Sequence, residues 1–145
     1  MTQDPAPGFT PRPRAGGAVR GAFDRQNLVD ELARIARRLT ERVLGTAREA
    51  FFDGSPSYDA ASMVVVRLYG LLERADSGDL RATLTEDEIA ALRTMRNIVA
   101  HGGDARMNDE SFWTTSTREL PVVVTRLQRA IATPSAADDD GAPSE

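Results

Sequence analysis

A chain of 145 residues, 41% hydrophobic and 28% charged, holds one globular domain with its own core and is too short for two. With no cysteine and a single histidine it excludes disulfides, thiolate chemistry and the usual nitrogen and sulfur zinc site, so no metal and no cofactor is expected. The net charge of −4 is misleading, because setting aside Asp138, Asp139, Asp140 and Glu145 leaves 18 acids against 18 bases, and any basic surface must therefore be local.

All the bases are arginine, the mark of a GC-rich coding bias and hence of a bacterial source. Residues 1–22 mix Pro, Gly and Arg without apolar periodicity and are expected to form a disordered arm. Arg12, Arg14 and Arg20 stand there against Asp4, so the arm reads either as a solvated leader or as a contact for a nucleic-acid backbone. Pro and Gly occupy the stretch where a signal peptide needs an apolar run, and the longest strongly apolar run, residues 63–66, is far below the ~20 needed to cross a bilayer. A cytoplasmic protein with no membrane partner is expected.

The first helix is expected after Asp24 as N-cap, with Leu28, Leu32, Ile35, Leu39, Val43 and Ala47 in steps of three and four along one buried stripe, closed by Phe51 and Phe52. Asp53-Gly54-Ser55-Pro56 breaks the chain. A second helix is expected over residues 58–75, with Ala61, Val64, Val65, Leu68, Leu71 and Leu72 inward and Ser77-Gly78-Asp79 as its stop. Thr85 and Glu88 form a capping box that opens the third helix, with Glu86 and Asp87 favoured by the dipole at its start. That helix runs to Gly102-Gly103. The last covers about residues 109–132, with Pro121 kinking or restarting it. No stretch alternates with period two, and Ala, Leu and Arg dominate, so the fold class is all-α, a bundle of four to five helices over residues 23–133. The acidic tail, residues 134–145, is expected to be disordered.

Placed on a wheel at about 100° per residue, Leu92, Met95, Ile98 and Val99 gather on one side of the third helix as its core face. Arg93, Arg96, Asn97 and His101 lie opposite. Asn97 and His101 are an i,i+4 pair. Arg96 has Leu92, Arg93, Val99 and Ala100 at i±3 and i±4, so no carboxylate on its own helix neutralises it. His101 is the chain's one histidine and stands beside two glycines. Such a stripe also reads as a plain solvated face. Phe112 and Trp113, which could stack on a base, read better as core at their spacing, and Tyr58 and Tyr69 read as packing residues.

The run Arg96-Asn97-Ile98-Val99-Ala100-His101 resembles the R-x4-H motif of HEPN proteins. The likeness to HepT-like toxins continues in Trp113, in Leu120-Pro121 seven residues later, and in the segment from Asp59-Ala60-Ala61 to Leu72, so that it spans residues 23–132. The resemblance implies a HEPN-type up-and-down bundle and a metal-independent ribonuclease toxin acting on RNA as a homodimer. It makes Arg96 and His101 the catalytic residues, with Asn97 and Arg93 binding substrate. It also implies an MNT-type nucleotidyltransferase as antitoxin. In one respect the chain departs from the pattern: HepT toxins carry R-x4-H-x-Y, whose tyrosine receives AMP, and here that position is Gly103. Silencing by modification at that position is excluded. A non-catalytic HEPN module that binds RNA, a nucleotide or a protein stays open, as does a structural bundle in which R-x4-H is coincidental.

Overall fold

The computed structural model describes residues 17–101 and 108–133. Every regular element among them is helical: α1 (Gly17–Arg42), α2 (Pro56–Leu72), the single turn α3 (Gly78–Arg81), α4 (Glu86–His101), α5 (Asp109–Thr114) and α6 (Leu120–Ala132). A π-helical segment, Thr115–Glu119, joins α5 to α6, and two 3-10 turns, Arg48–Ala50 and Ala75–Ser77, lie in the connections. The expected all-α bundle is therefore what the chain forms. None of these helices is long and apolar enough to cross a membrane.

Bonds between helices give the directions. Arg25, early in α1, donates to the carbonyls of Ile131 and Thr133 at the end of α6, while the Trp113 indole N–H in α5 donates to Thr46 O just past α1, at 2.9 Å. α1 thus runs antiparallel to α5–α6. Tyr58, at the start of α2, packs on Phe112, at the start of α5, so α2 runs with α5–α6. Glu88, early in α4, is held by Arg126, late in the last helix, which sets α4 parallel to α1. The result is an up-down-up-down arrangement in which α1 packs on α2 and α6, and α2 packs on α4.

One apolar core fills the bundle. The stripe Leu28, Leu32, Ile35, Leu39 and Val43 is buried as its spacing requires, and so are Ala61, Val64, Val65, Leu68, Leu71 and Leu72 of α2. Each such leucine, isoleucine or valine contributes about 1.5–3 kcal/mol relative to an exposed one. At the end where α1 stops, Phe51, Tyr58 and Phe112 form a three-ring cluster with centroids 5.0–5.3 Å apart, two of the pairs edge to face. Burial is the main reason the Tyr58 hydroxyl titrates above its usual value, with Asp53, Asp109 and Asp59 adding to the effect.

Several boundaries differ from the sequence expectation. α1 begins at Gly17, seven residues before Asp24, because no proline stands between Pro13 and Pro56 and Ala18, Arg20 and Ala22 are good helix formers. Asp24 is thus inside the helix and residues 17–22 are not part of an arm; residues 1–16 and the tail, 134–145, lie outside the described residues. α1 also ends earlier, at Arg42, where Leu44 N–H reaches back to Leu39 O and Gly45 adopts a left-handed φ of 84° that L side chains disfavour. Ala47, expected on the buried stripe, is past that turn and exposed, and Phe51 is buried from a separate segment. α2 starts at Pro56, with Ser55 Oγ accepting from Tyr58 N–H at 3.3 Å as N-cap, and stops at Leu72, not Ala75. Ser77, whose hydroxyl donates to Leu72 O and Arg74 O, shapes the separate turn that follows.

The capping box on α4 forms as expected, with Thr85 N–H on Glu88 Oε2 at 2.8 Å and Glu88 N–H on Thr85 Oγ1 at 3.1 Å. Glu88 also accepts from Arg126 at 2.8 and 2.9 Å. The Thr85 amide first, and Arg126 after it, hold the Glu88 carboxyl below the ordinary glutamate value of 4.5. The carboxylate's contribution is complete above that value and is lost as pH falls through the lower, folded one. Thermal melts should therefore lose stability below pH of about 4.5 in the wild type, and Glu88→Gln should lose less over the same range; an identical acid profile would remove Glu88 from the account.

Candidate functional site

The four residues singled out on α4 lie on its polar side, and the structure draws two of them onto one aromatic ring and ties a third to one of these. Arg93 Nε donates to the Tyr69 hydroxyl at 3.1 Å, and the Arg96 guanidinium carbon sits 5.5 Å from the centre of the same ring. Arg96 also donates to Asn97 Oδ1 at 3.0 Å. Tyr69 is 4% exposed, so its ring is fixed by packing and offers Arg96 a flat, negative face while its hydroxyl meets Arg93. That hydrogen bond is the first cause of an Arg93 pKa above the ordinary arginine value.

His101 is set apart. It is exposed, it is the last residue of α4, and its side chain makes no hydrogen bond with another described residue. It lies about 7.5 Å along the axis from Arg96. Neither Arg93 nor Arg96 is paired with a carboxylate among the described residues, in contrast to Arg67 and Arg126, so their charge is directed to the surface. The expected neighbours Gly102 and Gly103 lie outside the described residues. Among those described, no group of three or more His, Asp or Glu side chains could hold a metal ion.

The apolar side of α4 departs from the expected core face. Ile89 and Leu92 are buried at 3% exposure, while Met95, Ile98 and Val99 are half-buried. The reason is that α4 packs chiefly on α2, whereas α2 is flanked by both α1 and α4. Over its second half α4 thus carries a polar face and, beside it, a partly open apolar stripe. Phe112 is buried and Trp113 is bonded to Thr46 O, so both belong to the core and neither is a base-stacking platform.

Tyr69 is the site residue that sequence reasoning missed as a functional one. The wheel of one helix shows only that helix's residues, and Tyr69 reaches the arginines from α2. Its one signal in the sequence is a polar-tipped aromatic at the edge of an apolar stripe, where Tyr commonly buries its ring and keeps its hydroxyl for a partner. Compared with protein-family models, with curated proteins and with solved structures, the chain matches none.

Proposed function

We propose that this chain is a metal-independent ribonuclease of the HEPN type, the toxin of a toxin–antitoxin pair, working as a homodimer. The observation that carries the reading is the second half of α4, where two arginines without carboxylate partners among the described residues, an asparagine and an exposed histidine adjoin the half-buried Met95, Ile98 and Val99. Covering that stripe with the same stripe of a second copy would bring two His101 side chains to one site by two-fold symmetry. One imidazole takes the proton of a ribose 2′-hydroxyl, whose oxygen attacks the adjacent phosphorus. The bond to the 5′-oxygen breaks, and the other, protonated imidazole gives its proton to that leaving oxygen. The products are a 2′,3′-cyclic phosphate and a 5′-hydroxyl. Arg96, ordered by Tyr69 and Asn97, would hold the non-bridging phosphate oxygens with its fork of donors, and Arg93 and Asn97 would line the path of the backbone.

The same contacts favour a second reading. Arg93 and Arg96 both spend interactions on Tyr69, which is what a helical module that binds RNA, a nucleotide or a protein without cleaving would also need for rigidity. Gly103 removes the tyrosine that an MNT-type partner would modify, so either an antitoxin acts by binding alone or another regulator takes its place. Incubating the purified chain with end-labelled RNA in EDTA, with product ends mapped and solution mass measured, separates the readings. Cyclic-phosphate ends from a dimer support the nuclease, whereas a monomer that leaves RNA intact points to the module.

A further inference from the structure

The sequence requires any basic surface to be local, and the described residues hold one away from α4. Arg34, Arg37, Arg38 and Arg42 of α1 and Arg67 of α2 line a groove of about 400 Å3 between the two helices, with Glu41 as the one acid among the lining residues. Glu31 ties its upper end together, accepting from Arg67 at 3.1 Å and from Arg34 at 3.2 Å. Arg37, Arg38 and Arg42 have no carboxylate partner within salt-bridge distance among the described residues. Even with Glu31 holding two of the five arginines and Glu41 beside them, cations outnumber acids five to two at this groove on a chain of net charge −4, a strong local field.

We infer that this groove binds the phosphate backbone of RNA and leads it toward the end of α4. Arg34, Arg38 and Arg42 recur every four residues, so they stand about 6 Å apart along one line, a ladder suited to a polymer of regularly spaced charges. Guanidinium groups hold phosphate oxygens through paired donors. The lining contains no large apolar side chain, which disfavours insertion into a lipid surface. Position supports the direction. α1 and α4 run parallel, so Arg42 and His101 lie at the same end of the bundle. α2 stands between the two faces, with Arg67 bonded to α1 and Tyr69 to α4. A strand leaving the groove has only the width of one helix, about 10 Å, to cross. The choice of RNA over another polyanion rests on the ribonuclease reading of α4.

The test uses the full chain carrying His101→Ala, so that binding is measured without cleavage whichever way that reading falls. Fluorescence anisotropy with a labelled single-stranded RNA 20-mer is followed across a salt series for three proteins: this background, Arg38→Gln/Arg42→Gln in it, and Arg118→Gln/Arg129→Gln in it. Both pairs remove two charges from exposed or half-exposed helix positions. The groove pair is expected to weaken binding at least tenfold at 0.1 M salt and to lower the slope of log K against log salt by about 1.4, as loss of two single-strand phosphate contacts requires. The control pair is expected to change binding by less than about twofold. Equal weakening by both pairs would show a diffuse charge effect and overturn the groove, as would an unchanged affinity in the groove pair. Capture of polyglutamate in place of RNA would overturn it in favour of an acidic protein partner. Cleavage that fails in the wild type while the groove pair still loses RNA binding would sink the nuclease reading and leave the groove standing.

Discussion

Replacing His101 with alanine is expected to lower cleavage of labelled RNA in EDTA by about 10²–10⁴-fold, the usual worth of a positioned acid or base. The fold should not notice. His101 is exposed, ends its helix and makes no side-chain hydrogen bond to another described residue, so its replacement belongs with surface changes worth within about 0.5 kcal/mol. Because the proposed dimer draws both proton-transfer groups from the same position, one substitution removes base and acid together, and the larger end of the range is expected. The readouts are the cleavage rate and the disappearance of cyclic-phosphate ends, taken beside a melting curve that overlays the wild type. A His101→Ala protein that cleaves at the wild-type rate would sink the proposed chemistry and assign the activity to a contaminant.

Phe112→Ala is expected to be the most damaging single change to the fold, costing about 3–5 kcal/mol in denaturant unfolding. Phe112 is 1% exposed and packs edge to face on both Phe51 and Tyr58. It joins three parts of the chain: the connection after α1, the start of α2 and the start of the last helix. Against a total of about 5–15 kcal/mol for a domain, the loss removes much of the margin. The measurement is the shift in urea midpoint at unchanged slope. A cost below about 1 kcal/mol would mean that the cluster packs far more loosely than its centroid distances indicate.

The parts of the fold legible in the sequence are those set by local periodicity and caps. The steps among Leu28, Leu32, Ile35, Leu39 and Val43, and the Thr85–Glu88 box, depend on residues within a turn or two of each other, and the structure forms both. The two ends of α1 were harder to read. An acidic residue such as Asp24 serves equally as an N-cap or inside a helix, and Gly45 marks a stop only once its positive φ is known. Phe51 looked like the end of the α1 stripe because its spacing continues the pattern, yet it is buried by Tyr58 and Phe112 from elsewhere.

The site follows the same division. The polar face of α4 was legible because Arg93, Arg96, Asn97 and His101 lie on one helix. The tyrosine that gathers the arginines was not, since residues 69 and 93 meet only through the α2–α4 packing. The partial exposure of Met95, Ile98 and Val99 was equally hidden, because how much of an apolar stripe is covered depends on its neighbouring helices and not on its spacing.

The π segment has a consequence for register. Phe112 and Leu120 are both buried, eight residues apart, with Ser116 buried midway. In a regular α-helix that separation turns the second residue about 80° from the first. The wider π turn cancels the drift, so α5 and α6 present one face. It also gives Pro121, near the start of α6, relief from the carbonyl four residues back. The segment is equivalent to an α-helix with one residue inserted, and Ser116, whose buried hydroxyl has no hydrogen-bond partner among the described residues, stands in the middle of it. Deleting Ser116 in a Pro121→Ala background should close the helix to regular α geometry, leave Phe112 and Leu120 within about 20° of each other, and give a protein that melts within a few degrees of Pro121→Ala alone. A collapse in melting temperature would mean that the flanks are locked to the extra residue; survival would mark the insertion as a tolerated length change in the helix.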